Sequence, residues 1–326
     1  MQSVVSKFLQ QIESVVLGKP HECRLALTCL LAQGHLLIED LPGMGKTTLA
    51  HTLADTLNLS YQRTQFTSDL LPADIVGISI FNTSTHSFEL HKGPVFNQVV
   101  LADEINRASP KTQSALLEAM EEKQVSIDGR TYPLPEPFFV IATQNPLFHS
   151  GTYPLPESQL DRFMMRISLG FPDIGAEKNI LLSPSSVTKA AKPQQEAADN
   201  NSLPIEHLKA MQHTIAQIHA SDAIIEYIIA LCHVSRGQTH NVNMTGADVA
   251  ISCKPLSPRA GKALLAAAKA WAYIDNRDYL LPDDIKAVFT AVCEHRLALT
   301  EQGAGISVSE QILQSVNVLN PLKSTP

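Results

Sequence analysis

The first half of the chain alternates short apolar runs with stretches whose apolar residues recur every three or four positions. The apolar runs predict strands at residues 35–39, 61–66, 99–102, 138–142 and 166–169. The stretches between them predict helices, notably over 46–58 and 110–121. Several strands are almost continuously hydrophobic, which is typical of a parallel sheet covered by helices on both faces. The pattern therefore predicts a doubly wound α/β domain.

Two further pairs of short apolar segments interrupt this alternation and predict hairpins. The paired segments are 78–81 with 87–91, and 125–127 with 131–134. A polar stretch, 82–85, separates the first pair. The dipeptide Asp128-Gly129 separates the second pair and favours a tight two-residue turn.

The pattern changes after residue 173 and becomes helical. Residues 183–201 are polar and predict a loop, and three apolar stripes at helical spacing follow it. The stripes comprise Ile205, Leu208, Met211, Ile215 and Ile218; Leu264, Leu265, Ala268, Trp271 and Ala272; and Ile285, Val288, Phe289 and Val292. We therefore predict an α/β core over residues 1–173 and a small helical domain over residues 174–326.

Composition agrees with two globular domains. The chain has 326 residues, of which 44% are hydrophobic and 17% charged, and its formal net charge is −7. This balance provides no overall positive field for a nucleic-acid backbone, so a nucleic-acid partner is disfavoured, although a local basic groove is not excluded.

The cysteines and the apolar runs bear on the cellular compartment. The five cysteines form no C-x-x-C pair, which favours a reducing environment over a disulfide framework. The N-terminal segment lacks the apolar core of a signal peptide, and no run of about 18 apolar residues predicts a membrane span. We expect a cytoplasmic protein.

The segment after the first strand has the pattern of a phosphate-binding loop. Gly43 and Gly45 would let backbone N–H groups face a phosphate chain, and the following helix would present its positive end. Lys46 would reach the β- and γ-phosphates, and the Thr47 hydroxyl would bind Mg²⁺. The predicted contacts are Pro42, Gly43, Met44, Gly45, Lys46, Thr47 and Thr48. Asp40 stands where the usual G-x-x-x-x-G-K-[ST] pattern has its first glycine.

Two acids close the third predicted strand. Asp103 and Glu104 would lie at the same sheet edge as the phosphate loop, because parallel strands share that edge. Asp103 would hold Mg²⁺, and Glu104 would activate a water molecule as a general base. Together with Lys46, these acids predict a nucleotide-hydrolysing site.

Residues 103–122 (DEINRASPKTQSALLEAMEE) and 39–47 (EDLPGMGKT) resemble the motifs of the MoxR family of AAA+ ATPases. Further similar segments are 91–96, 142–146, 155–163, 257–260 and 295–296. The resemblance extends over about residues 16–299. It implies a P-loop NTPase fold with a helical lid.

The resemblance also implies roles for residues outside the phosphate loop. Asn145 is similar to the first sensor, which positions water against the γ-phosphate. Arg162 resembles the arginine finger that enters a neighbouring subunit's site, with Arg166 as the rival candidate. Arg259 resembles the second sensor.

Other matching positions are less specific. Leu17 and Gly18 correspond to the family's adenine-contacting segment, and both hairpins correspond to inserts that line the ring's pore in related ATPases. Arg107 and Glu118 belong to the motif but receive no role.

The resemblance implies ATP hydrolysis with Mg²⁺ in a self-assembled ring, with a hexamer as the expected state. It also implies chaperone-like maturation of a protein client, often by metal insertion, with a von Willebrand factor A domain protein as partner. Two alternatives remain open at this point: a DNA-associated AAA+ motor, and a nucleotide-gated binding module that does not hydrolyse ATP.

Overall fold

The computed structural model describes residues 2–145, 152–182, 205–245, 251–297 and 307–323. The predicted loop at 183–201 lies outside these residues. The chain divides into two compact units. The first comprises Met1–Leu27, Ile38–Tyr153 and Ser168–Met211, and the second comprises Thr28–Leu37, Pro154–Ile167 and Gln212–Pro326. The domain boundary at residue 173 stays a prediction.

Nine strands occur in the described residues. They are β1 Leu36–Glu39, β2 Tyr61–Gln65, β3 Gly77–Asn82, β4 Ser87–Lys92, β5 Val99–Asp103, β6 Gln124–Ile127, β7 Arg130–Pro133, β8 Phe139–Gln144 and β9 Met165–Ile167. Five of them form one sheet in the order β2-β5-β8-β1-β9, with β5 parallel to both β2 and β8. The others form the two predicted hairpins, β3–β4 and β6–β7. The predicted α/β P-loop fold is confirmed.

The position of each strand in the sheet explains its composition. Every residue of β5 and β8 is buried, and most of their side chains are apolar. In contrast, β2 lies at the edge of the sheet and reads YQRTQ, with most of its side chains partly or fully exposed. The edge strand can therefore carry polar groups beside the carboxyl end of β5.

The helices in chain order are α1 Gln2–Val15, α2 Pro20–Leu31, α3 Lys46–Thr56, α4 Pro72–Val76, α5 Pro110–Glu122, α6 Glu157–Leu160, α7 Ile174–Leu182, α8 Ile205–Ala216, α9 Asp222–Ser235, α10 Pro258–Ile274, α11 Pro282–Leu297 and α12 Val308–Ser315. Capping residues set several of these bounds. Ser109 and Ser257 accept hydrogen bonds from the first turns of α5 and α10, each just before a proline. The predicted helix over 46–58 ends earlier, at Thr56, because Asn58 adopts φ +51°.

The last strand of the sheet also differs from its prediction. Residues 166–169 were expected, whereas β9 ends at Ile167. Ser168 and Leu169 instead donate hydrogen bonds to the Asp40 carboxylate.

The second unit contains the helices α9 to α12. The stripes predicted on α10 and α11 are buried except for Leu265, which is half-buried. Leu264, Ala268, Val288 and Phe289 are completely inaccessible to solvent. None of the helices in the described part of the chain has the length and apolar character that a membrane span requires.

Candidate functional site

Three neighbouring strands of the sheet bring the predicted site residues together. The loop before α3 follows β1, Glu104 follows β5, and Asn145 follows β8. These strand ends enclose a cavity of about 380 Å³ within the first unit. The cavity is lined by Pro42, Gly43, Gly45, Lys46, Thr47, Thr48, Arg63, Gln65, Asp103, Glu104 and Asn145. Its size is in the range of small-molecule sites.

Both loop glycines are required by backbone conformation. Gly43 has φ +87° and Gly45 has φ +88°, a region that other residues rarely adopt. A Cβ atom on either glycine would meet no protein atom within 4 Å, so protein packing does not demand glycine here. Met44, between them, is half-buried and does not line the cavity.

Lys46 lies at the start of α3 with its side chain turned into the site. It is 8% exposed, and its Nζ donates to the Asp40 carbonyl at 2.7 Å and to Asn145 Oδ1 at 3.2 Å. Burial lowers the pKa of the Lys46 ammonium, while the charges of Asp40, Asp103 and Glu104 raise it. The ammonium is thus held at the mouth of the phosphate loop by neutral oxygen acceptors.

The Asp103 carboxylate is buried and both of its oxygens accept hydrogen bonds. Thr143 Oγ1 donates to Oδ1 at 2.6 Å. On the other oxygen, Arg63 Nη2 donates at 2.6 Å and Arg63 Nε at 3.1 Å. A carboxylate oxygen at this strand end is therefore paired with a guanidinium group that comes from the edge strand.

Glu104 turns out of β5 in a left-handed conformation, with φ +56° and ψ +48°. Such a conformation costs about 1–3 kcal/mol for a residue other than glycine, and it is concentrated at functional sites. The Glu104 N–H donates to Thr143 Oγ1 at 2.9 Å. Its carboxylate accepts from Asn145 Nδ2 at 3.0 Å and from Gln65 Nε2 at 2.7 Å, and Arg107 Nε lies 3.1 Å from Oε2.

Two of these residues, Arg63 and Gln65, were not predicted from the sequence, and a third, Arg107, had no predicted role. Arg63 and Gln65 lie on β2, and they contact the acids because β2 pairs with β5 in parallel register, with Gln65 opposite Asp103. The one local signal was the polar composition of β2 beside apolar strands. Arg107 received no role from the sequence, and the structure places it against Glu104.

The remaining predicted residues lie elsewhere. Leu17 and Gly18 belong to the first unit but do not line the cavity, and Gly18 packs against Ala176. Arg162 and Arg259 belong to the second unit. There, Arg259 Nη1 lies 3.8 Å from Asp161 Oδ2, and Asp161 Oδ1 accepts from Arg296 Nε at 2.7 Å.

Comparisons with known proteins agree with this arrangement. Residues 35–165 match the family model described as ATPase family associated with various cellular activities (AAA), and residues 245–316 match an AAA lid domain. The chain is 37% identical to the chaperone MoxR1 of Mycobacterium tuberculosis over 93% of this chain and 78% of the relative. It is 32% identical to protein MoxR of Paracoccus denitrificans over 89% of this chain and 87% of the relative.

A solved structure supports the same fold. The crystal structure of a proposed ATPase from Cytophaga hutchinsonii is 36% identical, with a TM-score of 0.81 over 99% of this chain and 96% of that one. The sheet, the phosphate loop and the lid thus define an AAA+ ATPase. Within that class, the chain belongs to the MoxR family.

Proposed function

We propose that this chain hydrolyses ATP with Mg²⁺ and uses the energy for chaperone-like remodelling of a protein client. The observation that carries the proposal is a single cavity that collects Lys46, Asp103, Glu104 and Asn145. A cation for phosphates, an oxygen ligand for a metal ion and a carboxylate for water are the parts that phosphoryl transfer to water requires.

The phosphate end of the nucleotide would be bound by the loop and by α3. The positive φ angles of Gly43 and Gly45 shape the loop whose N–H groups would face the phosphates. Lys46 would exchange its contacts with Asp40 and Asn145 for phosphate oxygens, which are stronger acceptors because they are charged.

The donor set fits Mg²⁺. This ion prefers oxygen ligands and binds through one or two protein groups together with water and phosphates. Thr47 and Asp103, which both line the cavity, would hold it. When bound, Mg²⁺ would neutralise charge on the phosphate oxygens.

Glu104 would activate the attacking water and Asn145 would orient it. The Glu104 carboxylate would accept the water's proton as the water attacks the γ-phosphorus, and ADP would leave. The Asn145 amide, 3.0 Å from Glu104 Oε1, would orient that water. The left-handed turn at Glu104 keeps this carboxylate next to the amide.

Residues of the second unit would complete the cycle in a homo-oligomeric ring, for which we propose a hexamer. Arg162 would act as the arginine finger toward a neighbouring subunit's nucleotide, with Arg166 as the rival. Arg259 would contact the γ-phosphate as the second sensor. In the first unit, Leu17 and Gly18 would contact adenine. The family membership supports these roles, and rings of this kind present their sites at subunit interfaces.

The hairpin β3–β4 offers a surface for a protein client. Phe81 and Phe88 pair across its strands with ring centroids 5.3 Å apart, and they are 48% and 70% exposed. The two rings contact each other and so form a contiguous exposed apolar surface, which is typical of interaction sites. We propose that they contact an unfolded segment of the client in the cytoplasm, with a von Willebrand factor A domain protein as partner in maturation or metal insertion.

Calorimetry with Mg-ATP and a phosphate-release assay test the nucleotide site. Lys46→Ala should abolish binding, whereas Glu104→Gln should bind ATP and reduce turnover at least about a hundredfold. Glu122→Gln, an exposed glutamate on α5, is the matched control and should behave as the wild type. Unchanged hydrolysis by Glu104→Gln would refute the assignment of the base.

A second experiment tests the remodelling role. The double variant Phe81→Ser, Phe88→Ser should keep its ATP turnover, because both residues lie outside the nucleotide cavity, but it should lose ATP-dependent suppression of aggregation of a model unfolded protein. Wild-type suppression by this variant would contradict the assignment of the hairpin.

A further inference from the structure

Asp40 occupies the position where the usual phosphate loop has its first glycine, and its side chain is fully engaged. The residue is 7% exposed. Its carboxylate accepts hydrogen bonds from Ser168 Oγ at 2.8 Å, from the Leu169 N–H and from the Gly170 N–H at 3.2 Å. Three donors compensate the cost of burying this charge, and hydrogen bonds to a carboxylate are among the stronger ones in proteins.

The backbone of the same residue belongs to the phosphate site. The Asp40 carbonyl accepts from Lys46 Nζ at 2.7 Å, and the Asp40 N–H donates to the Gln144 carbonyl at 3.3 Å. Asp40 therefore touches the phosphate-binding lysine with one group and residues 168–170 with another. A glycine could make only the backbone half of these contacts.

Residues 168–173, which we call the exit segment, connect β9 to α7. Their far end is held by the segment that we propose contacts adenine. Lys19 Nζ donates to the Phe171 carbonyl at 2.7 Å. Gly18, at φ +72°, packs so closely that a Cβ there would lie 2.8 Å from Ala176 Cβ, and Asp173 Oδ1 caps α7 by accepting from Ala176 N–H at 2.7 Å.

We propose that Asp40 is a positioning residue that couples the phosphate loop to the exit segment. Phosphates that draw Lys46 away from the Asp40 carbonyl would shift this residue, and its carboxylate would transmit the shift to the amides of Leu169 and Gly170. The start of α7 would then respond to both ends of a nucleotide, through Asp40 at the phosphate end and Lys19 at the base end. This coupling rests on the proposed nucleotide site.

Hydrogen–deuterium exchange of the Leu169 and Gly170 amides, with and without ADP, tests the coupling. In the wild type, ADP should slow their exchange about fivefold or more, since a nucleotide that stabilises the contact slows local opening. In Asp40→Gly, which restores the usual glycine and keeps the loop flexible, the slowing should fall below about twofold while ADP still binds. Asp128→Asn, an exposed aspartate in a hairpin turn, is the control and should behave as the wild type.

A double-mutant cycle on ADP affinity adds a readout that a purely structural role would not move. Ser168→Ala and Asp40→Asn should each weaken ADP binding by about three- to tenfold. The double variant should bind ADP about threefold more tightly than the product of the two single losses predicts. If Asp40→Gly fails to fold, Ser168→Ala alone should reduce the ADP protection of Leu169 and Gly170 about twofold.

The outcomes separate this inference from the proposed function. A wild-type chain that binds no ADP would overturn the nucleotide site and the coupling with it. ADP binding without slower exchange at Leu169 and Gly170, wild-type slowing in Asp40→Gly, or effects that simply multiply would each overturn the coupling alone.

Discussion

The side-chain amide of Gln65 donates a hydrogen bond of 2.7 Å to Oε2 of Glu104. The two residues meet because β2 and β5 are adjacent parallel strands, with Gln65 in register with Asp103. Asn145 Nδ2 donates to Glu104 Oε1, and the Arg107 guanidinium lies beside Oε2, so both carboxylate oxygens have donors. A water molecule that uses this carboxylate as its base, the role that we propose for Glu104, would have to compete with these donors.

Removing the Gln65 amide should therefore increase basal ATP turnover. If Glu104 is the base, as we propose, Gln65→Ala should raise the phosphate-release rate about fivefold at saturating ATP, since one hydrogen bond of about 1 kcal/mol no longer holds its carboxylate. The control is Gln62→Ala on the same strand, whose amide donates to the Arg63 carbonyl instead. A rate equal to or below that of the wild type, with ATP affinity intact, would contradict this account of Glu104.

Arg63 and a bound Mg²⁺ would compete for the same oxygen, Asp103 Oδ2. Arg63→Ala should therefore lower the Mg²⁺ concentration at half-maximal turnover by up to about fivefold, because a half-exposed ion pair contributes about 0.2–1 kcal/mol. Arg63→Lys keeps the charge but loses the two-pronged geometry. Its Mg²⁺ concentration at half-maximal turnover should lie between those of the wild type and Arg63→Ala. A Mg²⁺ titration in which Arg63→Ala needs as much metal as the wild type, or more, would exclude the competition.

Arg63 and Gln65 also show which part of the site cannot be predicted from the sequence. The phosphate loop and the acids at 103 and 104 could be predicted because each is a short motif beside an apolar strand. Arg63 and Gln65 could not, because their roles arise from the pairing of β2 with β5, whose partners are 38 residues apart at Tyr61 and Val99. Local periodicity carries no information about such pairing.

The prediction of the last strand of the sheet was wrong at its end for a related reason. The strand predicted at 166–169 ends at Ile167 because Ser168 and Leu169 bond to Asp40, which lies far away along the chain. Asp40 replaces the first glycine of the usual loop motif. From the sequence this is only a departure from the motif, whereas in the structure the Asp40 side chain accepts hydrogen bonds from Ser168 and Leu169. Tertiary contacts of this kind override local strand propensity.

The proposed arginine finger can be tested by mixing variants. Arg162→Ala subunits lack the finger but keep their own Glu104, and Glu104→Gln subunits lack the base but keep the finger. In an equimolar ring, about one interface in four would combine an intact base with an intact finger, so turnover should partly recover. Phosphate release that stays at the level of the separate variants at every ratio would rule out a shared site.

A parallel mixture distinguishes the rival arginine. Arg166→Ala subunits mixed with Glu104→Gln subunits should show no recovery beyond the activity of Arg166→Ala alone, if Arg162 is the finger. If phosphate release recovers in the mixture with Arg166→Ala but not in the mixture with Arg162→Ala, the arginine finger is Arg166.

The stability of the second unit should depend on pH through His295. This side chain is 4% exposed, its Nε2 lies 3.3 Å from the Phe163 carbonyl, and its Nδ1 is buried without a hydrogen-bond partner among the described residues. Burial lowers the pKa of His295 well below 6.5, and the charges of Arg296 and Arg166 lower it further. The imidazole is therefore neutral in the folded state at pH values where the unfolded state begins to bind a proton.

This difference in pKa between the two states makes the second unit less stable at acidic pH. Above about pH 6.5 the histidine is neutral in both states and contributes no pH dependence, whereas below it the unfolded state gains a proton first and unfolding becomes easier. The free energy of unfolding should fall by about 1.4 kcal/mol between pH 7.5 and 5.5 on account of this one group. Trp271, the one tryptophan of the chain, lies in the second unit and would report its unfolding by fluorescence.

His295→Gln should remove this part of the pH dependence, whatever its effect on stability at pH 7.5. Its loss of unfolding free energy between pH 7.5 and 5.5 should be about 1.4 kcal/mol smaller than that of the wild type. His213→Gln, at an exposed position on α8, serves as the control and should leave the dependence unchanged. If His295→Gln loses as much stability on acidification as the wild type does, other groups must bind the protons that unfold this unit.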